Sequence, residues 1–305
     1  MSTPETTNIP LEPSAARIPA SRWSPAGGWP WWLLLVLVAG VYIVYSILTN
    51  QITNDAFWFI LGQPREVSSL ADLALAGILL TIFITVVAYS FAIVVGLIVG
   101  LGRASQNVIF NNLASFYVEV IRGIPMLVVI MATAFVLTPA FVELVNAVGQ
   151  ALLDAGLGIG AGMAGLSTRN IDVTWRGIAA LGLGYGAFSA EIFRAGIESI
   201  EKGQMEAARA LGMSYFQAMR YIILPQAIRR VLPALGNDFV AMLKDSSLVS
   251  VLGVREMFQL NRLYINSTFN YVQGFAVLSF LYLSMTILLS RLVRLMERRM
   301  ASGYR

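Results

Sequence analysis

Five charged side chains, Arg122, Glu191, Arg194, Lys244 and Asp245, stand inside otherwise apolar runs. Each costs about 2.5 to 3.5 kcal/mol to insert in a membrane and so needs a partner or a task. Glu191 and Arg194 are three residues apart, which puts them on one helix face where they can pair. Lys244 and Asp245 are adjacent, so they point apart and pair elsewhere. Counted at about 1.5 Å per residue from the ends of their helices, all five lie roughly 7 to 18 Å from one membrane face. Two chemistries fit such a set. The residues hold the ammonium and carboxylate of a zwitterionic solute in a central cavity, or they form ion pairs that fix helix packing. Glu191 is the residue best placed to touch or gate a solute, whereas nearby Tyr185 equally fits plain packing.

Other chemistry is excluded by composition. The 305 residues contain no Cys and no His, which removes thiolate and imidazole metal sites, disulfides and a Ser-His-Asp triad. Neither a catalytic residue nor a metal ligand is expected. The only lysines, Lys202 and Lys244, follow no phosphate-binding glycine pattern. If ATP drives this protein, another chain binds it, and this chain is not the enzyme.

A polar stretch at 204–225 interrupts the apolar sequence. Residues 205–211 are good helix formers, and Gly212 follows where a left-handed cap suits it. Ser214 and Gln217 have the spacing of a capping box, so a second short helix starts there. Tyr215, Phe216, Met219, Ile222 and Ile223 recur at helical spacing opposite Gln217 and Arg220. Pro225 is expected to end or kink the helix. The pair reads as a docking module, with an ordinary interhelical loop as the plainer alternative.

These residues must be held by membrane spans, because 57% of the chain is apolar, only 12% is charged and mean hydropathy is +0.71. The fold class expected is an all-α integral membrane protein with six transmembrane helices. Residues 1–29, with five prolines, read as a disordered cytoplasmic tail. A first span at 30–49 has Trp29, Trp31 and Trp32 at its head, and an external loop runs over 50–76. The second span, 77–101, carries Ala92, Gly96 and Gly100 at four-residue spacing for close helix approach. A third, 114–137, contains Pro125; the segment 139–154 reads as an interfacial helix, and a glycine-rich linker follows. Spans at 177–200, 232–252 and 271–292 complete the set, and 296–305 form a basic tail.

Basic residues set the orientation. With the N-terminus in the cytoplasm, Arg17, Arg22, Arg103, Lys202, Arg209, Arg220, Arg229, Arg230 and the tail arginines share its side, against Arg65, Arg169, Arg176, Arg255 and Arg262 on the other. The positive-inside rule therefore places both termini and the docking module in the cytoplasm.

The module also carries a resemblance. Glu206, Ala207 and Ala208, then Gly212, then Ile222, Leu224 and Pro225 resemble the signature loop of binding-protein-dependent ABC importer permeases. Arg122-Gly-Ile-Pro125, Tyr185 through Arg194, and Leu243 through Val249 look like the polar amino-acid branch of that family. The resemblance covers 77–295, the last five spans, and implies the type I ABC importer permease core. It implies that cytoplasmic coupling helices at about 203–225 sit on an ABC ATPase dimer that binds ATP and Mg. It also implies a second permease subunit, the same or a sister chain, an extracytoplasmic amino-acid-binding protein, and a bacterial inner-membrane location. No cofactor is implied on this chain. Three features depart from the family pattern: the extra span within 30–76, a long external insertion at about 139–176, and Ile124 where Thr is usual.

The competing reading is a secondary transporter or channel that uses the intramembrane charges for ion coupling. It calls for inverted repeats, which the sequence does not display, and it leaves 204–225 without a purpose.

Overall fold

The computed structural model describes residues 31–62, 77–105 and 107–301. The expected tail at 1–29, Arg65, the rest of the loop up to 76 and the end of the basic tail lie outside the described residues. Those described are mainly helical, and they fall into two units that divide between Tyr42 and Ile43. The first unit contributes the start of α1 (Trp31–Thr49), an apolar helix that contains no charged residue.

In the second unit, Asn50 caps α2 (Gln51–Leu61) through its side-chain oxygen. The external loop expected at 50–76 thus begins as a helix. α3 (Gly77–Arg103) leads to α4 (Val108–Gly123), which stops because a residue before proline avoids helical geometry. Ile124 is extended, and Pro125 begins α5 (Met126–Ala132). A π turn, Thr133–Leu137, continues directly into α6 (Thr138–Asp154). The short α7 (Gly160–Ala164) returns against α6, and then come α8 (Val173–Glu198), α9 (Lys202–Ala210) and α10 (Tyr215–Ala218). A second π turn, Met219–Ile223, runs into α11 (Leu224–Asp245), and a tight 3₁₀ segment, Ser246–Leu252, precedes α12 (Met257–Thr268) and α13 (Tyr271–Ala301).

Several expectations are corrected here. The long apolar helix of the third span is Met126–Asp154, not 114–137, so 139–154 is its continuation and not a separate interfacial helix. Pro225 does not end a helix, for it sits in the first turn of α11. Pro139 and Pro225 each follow a π turn, and the extra residue in that turn supplies the room the ring needs in an otherwise unbroken run. The fifth helix starts at Leu224 rather than 232 and closes before Ser246. Three described helices are long and apolar enough to cross a membrane: Gly77–Arg103, Met126–Asp154 and Tyr271–Met296. The bent pair Leu33–Thr49 and Gln51–Leu61 makes four if taken as one span.

The centre of the second unit is the α3–α8 pair. A Cβ on Gly96 would stand 2.5 Å from Ser189 Cβ, and one on Gly100 would stand 2.8 Å from Phe193 Cβ. The four-residue stripe is thus where the two backbones approach. Around it, Ile84, Ala88, Ala92, Leu181 and Met242 are fully buried and bring in α11. A second cluster joins Ile47, Ile60, Met257, Tyr264 and Val277, and the Tyr264 hydroxyl donates to the Ile52 carbonyl at 2.9 Å, so α2 is stitched onto α12.

Candidate functional site

The docking stretch folds as its local chemistry dictates. Gly212 adopts φ +82° with open space around its α-carbon, a conformation strained for any L side chain. Ser214 Oγ accepts from the Gln217 amide at 3.3 Å while Gln217 Oε1 accepts from the Ser214 amide at 2.9 Å, completing the capping box. Ala208, Ala218 and Ile223 turn inward; Glu206, Ala207 and Pro225 are exposed. Phe216, one of the helically spaced apolar residues, is 70% exposed, and so are Leu211 at 84% and Tyr221 at 62%. An apolar, solvent-facing patch thus surrounds the Gly212 turn.

The inward face is an anchor. Met205, Met219, Ile222 and Ile223 pack with Ile197, Ile200 and Ala227 and with Leu101 and Ala104 at the end of α3. Leu101 and Ala104 flank Arg103, and Arg103 is where the intramembrane charges converge.

Glu191 is the hub of that convergence. It pairs with Arg103, with Arg194 at 2.9 Å and with Arg122 at 3.4 Å. Arg194 reaches on to Glu198 at 2.8 Å, and Arg103 to Glu119 at 3.7 Å. Three arginines meet three glutamates, so the cluster carries no net charge, and it ties α3, α4 and α8 together. Arg122 is the most exposed of the three arginines, at 44%, and lies 5.6 Å over the Phe188 ring.

Lys244 and Asp245 do not join it. The Tyr185 hydroxyl donates to Asp245 Oδ2 at 2.8 Å, which gives Tyr185 a polar partner beyond its packing. Tyr185 is six residues before Glu191 along α8, about 9 Å of helix rise, so the five charges divide between two levels instead of sharing one depth. Lys244 has no ion pair among the described residues.

Sequence reasoning passed over three residues. Arg103, read from sequence only as an orienting charge, is the last helical residue of α3. Asp238 lies seven residues before Asp245 on the same face of α11, a spacing that identifies it in retrospect. Its Oδ2, like Ser189 Oγ, is buried without a hydrogen-bond partner among the described residues. Glu256, fully buried, caps α12 by accepting from the Phe258 and Gln259 amides at 2.8 and 2.7 Å, and it accepts the Tyr282 hydroxyl at 3.2 Å. Among the described residues, no group of acidic side chains is placed to hold a metal ion.

The sequence profile described as "binding-protein-dependent transport system inner membrane component" matches residues 92–302. The chain belongs to that family. This permease chain is 35% identical over 226 residues to a probable amino-acid permease protein, YxeN, of Bacillus subtilis, covering 74% of this chain and 90% of the relative. It is 34% identical over 228 residues to the glutamine transport system permease protein GlnP of Escherichia coli, covering 75% and 93%. Among solved structures, an amino acid ABC transporter crystallised with histidines superposes with TM-score 0.58 at 35% identity, covering 73% of this chain and 92% of that one. The MetNI methionine ABC transporter in an inward-facing form shares the fold at TM-score 0.56 and 21% identity. The all-helical architecture is thus that of ABC importer membrane components.

Proposed function

We propose that this chain is the membrane-spanning permease subunit of an ATP-driven importer of polar amino acids in a bacterial inner membrane. The observation that carries the proposal is the pairing of an exposed apolar turn at Leu211, Gly212 and Phe216 with an anchored inner face that packs beside Arg103. The outer face docks on a separate ATPase dimer, which binds ATP and Mg, and this chain performs no hydrolysis. Of the signature residues, Glu206, Ala207, Gly212 and Pro225 form the outward coupling surface, with Leu224 half-buried at its edge, while Ala208 and Ile222 anchor it from the inner face. Movement of α9 and α10 shifts Leu101 and Ala104, and with them the Arg103 end of the Glu191 cluster. That cluster gates the path, while Asp245 and Asp238 present an acidic strip to the solute.

In this reading the chain has six spans with both termini cytoplasmic. The segment 30–76 is an addition to the 77–295 core, and the external insertion is confined to 155–176, after the helix Met126–Asp154 ends. A second permease, identical or a sister chain, and an extracytoplasmic binding protein complete the assembly. The relatives' printed substrates, glutamine, arginine and cystine, support the solute class. The test is uptake of a panel of radiolabelled amino acids into proteoliposomes that contain the permease, its co-purified ATPase and its binding protein. ATP-dependent accumulation supports the reading, and accumulation driven by an ion gradient without ATP contradicts it.

A further inference from the structure

α11 and α13 meet at Gly236 and Val293, where a Cβ added to the glycine would stand 2.5 Å from Val293 Cγ1. Beside that contact, α3, α11 and α13 enclose a groove of about 160 Å³. Ile82 and Val86 of α3, Phe239 and Leu243 of α11, and Leu288 and Leu292 of α13 are its main walls. Among the described residues that line it only Thr85 is polar, and its hydroxyl already donates to the Thr81 carbonyl at 2.7 Å. The groove therefore offers a visitor no hydrogen bond. It is open at the side, because Ile82, Val86, Leu288 and Leu292 are all exposed.

The depth of the groove along α13 says what fills it. From Tyr271, where α13 begins, to Arg291 the helix rises about 30 Å, the thickness of a bilayer's hydrocarbon core. Arg291 thus stands where acyl chains give way to headgroups, and its neighbour Leu292 belongs to the groove wall. Arg291 is exposed and has no ion pair among the described residues; Arg294, one turn further on, is exposed as well. A guanidinium at the membrane edge needs a counter-ion, and its stem can lie along apolar surface while the charge reaches the headgroups. An apolar slot that ends beside such a charge matches the two halves of one molecule, a hydrocarbon chain and a phosphate.

We propose that the groove seats one acyl chain of an anionic phospholipid, with its phosphate held by Arg291 and Arg294. A second copy of the chain seated by the same face would bring the arginines of both copies toward one interface, like charge on like, whereas an anionic lipid neutralises them. The site does not depend on the importer reading, which only makes the leaflet concerned the cytoplasmic one.

The test is native mass spectrometry of the full chain, delipidated in detergent and titrated with phosphatidylglycerol or phosphatidylethanolamine of the same acyl composition. One phosphatidylglycerol per chain is expected to bind about tenfold more tightly than phosphatidylethanolamine, since each basic residue near the headgroups is worth about fivefold for an anionic lipid. Arg291→Gln lowers that preference about fivefold, Arg291→Lys keeps it, and Arg262→Gln, on α12, leaves it unchanged. Val86→Trp fills the groove and removes the bound lipid with both arginines in place. Glycerophosphoglycerol, which has the headgroup and no acyl chain, does not compete. Equal affinity for the two lipids overturns the proposal, as does an unchanged preference in Arg291→Gln, which is an exposed and mild substitution. Full binding in Val86→Trp, or displacement by glycerophosphoglycerol, also overturns it. Lipid carried by single chains and lost from paired chains assigns the groove to contact between copies and overturns it as well. No ATP or partner protein enters these measurements, so their failure leaves the importer reading to stand or fall on uptake.

Discussion

Arg103 at the end of α3 pairs with Glu191 of α8, and both are largely buried, at 13% and 19% side-chain exposure. The two residues are 88 positions apart in sequence and meet because the glycine stripe of α3 lets α8 come close. Arg103 also stands beside Leu101 and Ala104, against which Met205 of α9 and Met219 and Ile222 of the following π turn pack. One side chain thus lies between the packing of α9 and the Met219–Ile223 turn and the charged cluster. Replacing Arg103 with Met leaves Glu191 to Arg194 and Arg122, which holds the cost to about 1–3 kcal/mol. The expected outcome is ATP hydrolysis that persists while uptake falls at least tenfold, measured side by side in proteoliposomes.

Glu191→Ala removes the hub itself and leaves three arginines facing one another. Transport kinetics across several amino acids are expected to change, in KM if Glu191 touches the solute and in maximal rate if it only gates. Unchanged values for both would assign the cluster to helix packing alone.

Gly96→Leu tests the α3–α8 approach. A Cβ there already meets Ser189 at 2.5 Å, and a larger side chain must part the two helices. Overpacking of this kind costs about 1–3 kcal/mol or more. The expected result is a clearly lowered melting temperature in detergent, and Gly162→Leu, where no described residue lies within 4 Å of an added Cβ, should leave it near the wild-type value.

Glu256 predicts a pH dependence. Burial pushes its carboxyl up from 4.5 to about 7, against the opposing pull of its hydrogen bonds from Phe258, Gln259 and Tyr282. The folded chain therefore holds this proton more tightly than the unfolded chain does. Its stabilising contribution is complete below the unfolded value and is lost as pH rises through about 7. The change is on the order of 3 kcal/mol. The melting temperature of the wild type should fall between pH 5 and pH 8, and Glu256→Gln should flatten that slope.

Much of this was legible in the residues. The Gly212 turn and the Ser214–Gln217 capping box were readable because both are set by local backbone chemistry. The Glu191–Arg194 pair was readable because it lies within one helix. Arg103 was missed because its partner comes from another helix, and no periodicity within α3 points to it. Pro125 and Pro225 look alike in sequence, yet one opens a break and the other is taken up behind a π turn. That difference depends on whether a π turn forms ahead of the ring, which spacing does not encode. Spacing grouped Phe216 with Ile223, yet Phe216 is 70% exposed and Ile223 is buried; periodicity alone does not tell a packed residue from a presented one.

The central claim is that the Gly212 turn transmits ATP-driven motion from a partner to this chain. Its most direct test compares wild type with Gly212→Val and Glu206→Lys in ATP-driven amino-acid uptake by reconstituted proteoliposomes, with membrane insertion checked by protease protection. The account predicts normal insertion, with uptake reduced to background in both variants. Wild-type uptake in both would contradict it.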